Sequence, residues 1–585
     1  MSMSKNIARL AVTAGLTAAL SFGGVMAPVT MAFAAGTPTV ATEKGKVTIT
    51  DGTYAGTSFK GIQIFTAKVT QDQKDDGSWD ESAGKTLSDI QWAPGNVKAL
   101  VTTALKGVTG APDVNADAQT WAEFISKAQG SNFGEATAVD TGTALDLIAK
   151  ALEGDENLTW TTPSDSTKGS FKDLDHGYWL FVTDTPSSTS GANGNTDAYT
   201  SPIFTIVGGS DVNVAPKKDV PNVTKAVKDD AANGTFGTFE NPNKAADSQM
   251  GDYVDYLLTG TVASNINTYS TYKYTFTDEL PKSMTPKFKD GSTTPAVTVK
   301  IGDTEVKTDC YTAKYVNDTI TVDFTNLKNC TDGSGNPIVL NSSSKVTVEY
   351  EAKLDSAKIF ENGAIKDEFN GLVGKAQKNK VTLTYSNNPH TDGTGTTVEH
   401  LAYDYTYGID VTKVGSNDET KGLKGVEFTL QEQGDTNKFI MANGVKTTDE
   451  TKAKLTTDDS GKINVVGLDE GIYILKEVTP APGYNNSAAN GVTFTIKRDL
   501  NQNGDDVTPS VDSAINAASG VVKNNSATAS TGKLSFTIVD KKGSGLPLTG
   551  LNGVTFTWIA GGAVLCIGVA HLIRSRKQAE ESERE

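Results

Sequence analysis

Six polar side chains occupy positions that strand alternation would turn away from water. Successive residues of an extended strand point to opposite faces, so a polar residue in phase with an apolar set shares its inward face. Lys225 is in phase with Val223 and Val227, Asp278 with Tyr272, Tyr274 and Phe276, and Asn379 with Val381, Leu383 and Tyr385. Further along, Lys413 is in phase with Tyr407, Ile409 and Val411, Glu477 with Tyr473 and Leu475, and Asp540 with Leu534, Phe536 and Ile538. Each set contains an amine, a carboxyl group and a carbonyl donor. Buried apart, each group would lose its hydration uncompensated, so the members of a set are expected to meet. A buried salt bridge is one outcome. The other is a covalent amide: desolvation lowers the amine's pKa and raises the acid's, leaving a neutral amine beside a protonated carboxyl. The amine of Lys225 or Lys413 can then attack the side-chain carbonyl of Asn379 or Asp540, while Asp278 or Glu477 shuttles protons. Contact supplies the effective concentration that an intermolecular amidation lacks.

The elements that would hold these groups follow from periodicity. Residues 35–215 mix strand signals with two helical stripes, Trp121, Phe124, Ile125 and Ala128, then Leu145, Ile148, Ala149 and Leu152. A mixed α/β N-terminal domain is expected there, with 186–197 (PSSTSGANGNTD) as a surface loop. Lys60 is in phase with Ile62 and Ile64, and Asp184 with Tyr178, Leu180 and Val182, but no inward asparagine follows, so no cross-link is expected in this domain. Period-two alternation dominates residues 216–400 and resumes over 401–545, where Tyr403, Tyr405, Tyr407, Ile409 and Val411 read as one run. Two Ig-like β-sandwiches in tandem are predicted, and the fold class is mainly β. Cys310 and Cys330 flank a hairpin-like stretch with Asn317 and Asp318 as its turn. A disulfide between them is expected, with two buried free thiols as the alternative.

The chain has 585 residues, room for three or four domains. Its 53 basic and 70 acidic residues give a net charge of −17, which argues against nucleic acid as a partner. Four histidines and three cysteines leave little material for a metal centre or a histidine-based triad, so no cofactor, no metal and no enzyme are expected.

Both ends carry targeting signals. Residues 1–34 have a basic start at Lys5 and Arg9, an apolar stretch and small residues at Ala32 and Ala34, which read as a secretory signal peptide. Residues 554–573 form an apolar stretch of membrane-spanning length followed by RSRK, so a C-terminal transmembrane helix is expected, with residues 546–585 as one terminal segment. Directly upstream stand Leu546, Pro547, Leu548, Thr549 and Gly550. The pentapeptide, span and basic tail together resemble a Gram-positive cell-wall sorting signal. That resemblance implies a sortase that cleaves between Thr549 and Gly550.

The chain as a whole resembles the backbone pilins of sortase-assembled Gram-positive pili, built from Cna-type sandwiches with internal isopeptide bonds. YILKEVTPAPGY at 473–484 resembles the pilin E-box and places its glutamate at Glu477; NKVTLTYSNNP at 379–389 and FTDELP at 276–281 resemble the middle-domain motifs. Asp540 stands where the family's usual residue is asparagine, so its bond with Lys413 would lose water or not form. VNVAPKK at 212–218 resembles the pilin linkage motif at Val212, Val214, Pro216 and Lys217, with Gly208 and Ala215 replacing its aromatic residues. Lys217 is out of phase with the two valines and expected to face solvent; Lys218 is the competing candidate. The resemblance implies head-to-tail linkage of Thr549 in one subunit to Lys217 of an identical subunit. It also implies pilin-type and housekeeping sortases as partners, attachment to peptidoglycan, and a host glycan or matrix ligand that the loops do not identify. A secreted fimbrial shaft subunit anchored to the cell wall is the expectation, with a monomeric wall-anchored adhesin as the alternative.

Overall fold

The computed structural model describes residues 37–127, 138–164, 168–188, 194–230, 234–497, 515–528 and 531–543. The expected signal peptide, the LPLTG pentapeptide and the apolar C-terminal stretch lie outside these residues. Among the described residues no helix is long and apolar enough to cross a membrane.

The first region is α/β. One sheet runs in the order Thr37–Val40, Ser58–Gln73, Gly177–Thr185 and Ile203–Val207, with Thr86–Trp92 also paired to the long second strand. A smaller sheet joins Ser170–Leu174, Gly45–Ile49 and Val212–Val214. Both expected helices form, at Ala118–Lys127 and Ala144–Glu153, burying Trp121 and Ile125 and then Leu145, Ile148, Ala149 and Leu152. A third helix, Val97–Leu105, buries Val97, Val101 and Leu105. Its valines and threonines are weak helix formers, so packing against the core rather than propensity decides it.

The middle region is a sandwich of two mostly antiparallel sheets. One is ordered Ala245–Asp247, His400–Tyr405, Gln377–Ser386, Tyr274–Glu279, Thr319–Phe324 and Thr312–Val316; the other is ordered Thr304–Glu305, Val297–Ile301, Lys345–Leu354, Tyr253–Thr261 and Val223–Lys228. The predicted hairpin turn is present, with Asn317 and Asp318 at φ of 50° and 59°, the left-handed pair that a two-residue hairpin needs. The tyrosine run read as the opening of the last domain is two strands. His400–Tyr405 completes the middle sheet, and the next sandwich starts with Tyr407–Gly415. Alternation continues through the joint because Thr406 is itself buried and bonded to Leu468 O at 3.0 Å, so no polar break marks it.

In the last region Tyr407–Gly415 and Lys533–Asp540, the first and last strands, lie side by side and parallel. Glu427–Glu432 and Gly471–Thr479 pair in the facing sheet.

Of the stretch 186–197 expected as a surface loop, residues 189–193 lie outside the described residues, and the part from 194 on corrects that expectation. Asn195 and Asp197 are buried. Asp197 accepts hydrogen bonds from Thr57 Oγ1 at 2.6 Å, Ser187 N at 2.8 Å and the Lys218 amine at 2.5 Å, and its own carbonyl accepts from Asn387 of the middle sandwich at 3.0 Å. Small polar residues here satisfy buried partners on both sides of a domain joint instead of meeting solvent.

His390 makes a second contact across that joint. It lies 3.4 Å from Asp146 and against Glu153, both on the helix Ala144–Glu153, and Lys150 also pairs with Asp146 at 2.8 Å. Burial alone would lower the imidazole's pKa; the hydrogen bonds to Asp146 and Glu153 outweigh it, and the net shift is upward. A raised folded-state pKa adds stability that is fully present below the unfolded value of about 6.5 and is lost as pH rises through the folded one. Stability of the chain against thermal unfolding is therefore expected to fall on the order of 1 kcal/mol between mildly acidic and alkaline pH, and His390→Gln to flatten that slope. An unchanged slope in the variant would remove this account.

Candidate functional site

Alternation carries all six singled-out side chains inward. Lys225, Asp278, Asn379, Lys413, Glu477 and Asp540 are each no more than 1% exposed.

In the middle sandwich, Lys225 comes from the edge strand of one sheet and faces Asp278 and Asn379 on neighbouring strands of the other, where Asp278 pairs with Val381. The Lys225 amine donates to Asp278 Oδ2 and, at 3.0 Å, to the hydroxyl of Tyr350. Tyr350 in turn donates to Asp278 Oδ1 at 2.9 Å and accepts from Asn379 Nδ2 at 2.8 Å. The rings of Tyr256 and Tyr350 stack 5.4 Å apart, and Nζ of Lys225 lies 5.3 Å from each. Burial lowers the Lys225 amine to about 8, against the opposing charge of Asp278. The same burial raises the Asp278 carboxyl. Both shifts favour the neutral amine and neutral acid, the state in which a lysine is a nucleophile.

In the last sandwich the Lys413 amine lies 2.8 Å from Glu477 Oε2 and also contacts Asp540 Oδ1. Lys413 and Asp540 reach each other because their parallel strands are adjacent, with Gly415 opposite Asp540. Burial pushes the Glu477 carboxyl up. Ser487, which spacing did not single out, donates its backbone N–H at 3.2 Å and its hydroxyl at 2.5 Å to Asp540 Oδ1. It follows the E-box-like stretch by three residues, and the only available signal was that proximity.

Residues 407–513 match the SpaA prealbumin-like fold domain. Lys413 and Glu477 fall inside the SpaA-type stretch, and Asp540 lies beyond its end on the strand that closes the same sandwich. Among solved structures, the chain is similar to the T6 backbone pilin of serotype M6 Streptococcus pyogenes at 15% identity, covering 86% of this chain and 98% of that one with a TM-score of 0.47. It is also similar to the full-length major pilin SpaD of Corynebacterium diphtheriae at 17% identity, covering 86% and 98% with a TM-score of 0.43. No curated protein sequence matches the chain.

Outside the SpaA-type domain, the N-terminal pair of Lys60 and Asp184 is partly exposed and 3.9 Å apart, with the amine 4.8 Å from the centre of the Trp160 ring. The two linker lysines differ sharply. Lys218 is buried between Asp51 at 2.6 Å and Asp197 at 2.5 Å. Both carboxylates accept further hydrogen bonds from Thr57 and from backbone N–H groups, so the Lys218 amine sits in a fully partnered ion-pair cluster. Lys217 is half-buried rather than fully solvent-facing. Its backbone N–H donates to Thr200 Oγ1 at 2.8 Å, and its carbonyl accepts from Ser201 N at 2.8 Å and Asn265 Nδ2 at 3.3 Å. Among the described residues no carboxylate pairs with its amine.

The expected disulfide is corrected: Cys310 and Cys330 are free thiols. They are neighbours, with Cys310 Sγ accepting from Thr331 N at 3.2 Å. Burial, then the nearby Cys310, pushes the Cys330 thiol up to about 12, which keeps it protonated and unreactive. Among the described residues no group of three His, Cys, Asp or Glu side chains is arranged to hold a metal ion.

Proposed function

We propose that this chain is the repeating shaft subunit of a covalently polymerised surface pilus, carrying internal amide cross-links in its two sandwiches. The observation that carries the reading is the meeting of an amine, an acid and a carbonyl donor inside each apolar core. In the middle sandwich Lys225 attacks Asn379 and ammonia leaves; in the last, Lys413 attacks Asp540 and water leaves, with Asp278 and Glu477 as the proton shuttles. Each bond is formed once per molecule, so the chain is a structural protein and not an enzyme.

Polymerisation rests on the sorting-signal resemblance and on Lys217. A sortase takes the acyl group at Thr549, releasing Gly550 and the C-terminal segment, and the Lys217 amine of a second subunit completes the transfer. The contrast between the two lysines supports Lys217, because its neighbour's amine is already held by Asp51 and Asp197. A housekeeping sortase would fix the finished fibre to peptidoglycan at the cell surface, where adhesion to a host glycan or matrix is its role. Cell-wall extracts boiled in detergent should show a ladder of multiples of the subunit. A single band at monomer size would replace the shaft with a wall-anchored monomeric adhesin.

A further inference from the structure

Among the described residues, the hydroxyl of Tyr350 is the one group hydrogen-bonded to all three members of the middle cluster, at 3.0 Å from Lys225 Nζ, 2.9 Å from Asp278 Oδ1 and 2.8 Å from Asn379 Nδ2. The residue is 2% exposed and its ring is held against Tyr256, so the hydroxyl cannot swing away. The hydrogen bonds of the Asp278 carboxyl go to Lys225 and Tyr350, and no direct bond joins it to the Asn379 amide. The phenol fills that gap.

We propose that Tyr350 is a catalytic residue of the middle sandwich, relaying the proton of Asp278 to the nitrogen that leaves Asn379; this rests on the Lys225–Asn379 bond proposed above. Amide nitrogen is not a proton acceptor, and in the resting state Nδ2 donates to the phenol. Attack by Lys225 Nζ on Cγ makes the carbon tetrahedral and gives the nitrogen back its lone pair. The hydrogen bond then reverses: Tyr350 passes its proton to Nδ2, and Asp278 passes its proton to Tyr350. The C–N bond breaks, ammonia departs, and the excess proton on Nζ goes to Asp278, which ends as it began. One C–N bond forms, one breaks, and nothing is oxidised. Burial holds the Tyr350 phenol well above the usual range, so it acts by simultaneous gain and loss of a proton rather than as a standing phenolate. In the last sandwich Glu477 and Asp540 both contact the Lys413 amine directly.

The test is intact mass of the secreted chain at intervals after synthesis. Tyr350→Phe should delay the about 17 Da deficit of the middle sandwich by roughly 100-fold or more, the usual reach of one general acid, while the about 18 Da deficit of the last sandwich appears on time in the same molecules. Tyr274→Phe, which removes a hydroxyl bonded to Thr261 O at 2.8 Å and not to the cluster, should keep the wild-type rate. A Tyr350→Phe chain that loses the 17 Da as fast as wild type overturns the relay. A wild-type chain that never loses it overturns the bond itself, and the relay with it. Should Tyr350→Phe fail to fold, a ring-fluorinated tyrosine at position 350 keeps shape and hydroxyl; its more acidic phenol should move the pH profile of bond formation, and an unmoved profile overturns the proposal.

Discussion

Replacing Lys225 by alanine is expected to leave the secreted chain about 17 Da heavier, relative to its own composition, than the wild type, which should carry a combined deficit of about 35 Da. The same substitution should lower the unfolding midpoint of the middle sandwich by roughly 10 to 20 °C. The size follows from the loop. A cross-link closing more than a hundred residues restricts the unfolded chain by roughly 5 kcal/mol in the chain-entropy account, and each kcal/mol moves a domain of this size by about 2–4 °C. The variant also strands Asp278, whose carboxyl loses the amine that now faces it. Asp278→Ala keeps both bonding partners and removes the proton shuttle, so it tests bond formation with the nucleophile still in place, at the cost of leaving the Lys225 amine without its carboxylate. A Lys225→Ala chain whose deficit stays near 35 Da would show that the amine is not the nucleophile. In the last sandwich, Lys413 and Asp540 are 127 residues apart, so Lys413→Ala should behave alike with a deficit smaller by about 18 Da.

Replacing Lys217 by alanine should abolish the ladder of multimers in boiled cell-wall extracts and leave monomer, with the internal mass deficits unchanged. The effect is all or none because the proposed inter-subunit bond needs one particular amine on each subunit. A persisting ladder would show that another lysine serves. Lys218 is a poor control for that experiment: removing its buried amine leaves Asp51 and Asp197 facing each other without a cation, a loss of about 3–5 kcal/mol that would disturb the joint whatever its part in polymerisation. Arginine at 217 is the sharper variant, since it keeps the charge but not the nucleophile.

Much of the site was legible because the strand period is two. Lys225, Asp278 and Asn379 could be read as inward from neighbours two residues away, without knowing which strands pair. Tyr350 stands in the same alternating phase as Val346 and Val348, yet its apolar ring gave no reason to ask where the hydroxyl would go. Ser487 lies outside any regular strand, where alternation says nothing. The two cysteines sat near enough for a disulfide by spacing, but spacing does not say whether the two sulfurs bond, and in the folded chain both are free thiols.

The 186–197 segment and the linker mark the other boundary of what composition can say. Serine, glycine and asparagine resemble loop material anywhere, and only the packing of two domains against Asn195 and Asp197 turns that stretch into a joint. Periodicity is a property of neighbours along the chain, so it determined which faces are apolar, which charges are trapped, and that the protein is a string of β-rich domains. Distances between groups far apart in sequence depend on sheet order and interdomain contact. Those alone decided that Lys218 is paired with Asp51 and Asp197, that a tyrosine bridges the middle cluster, and that the tyrosine run from 403 to 411 is divided between two sandwiches.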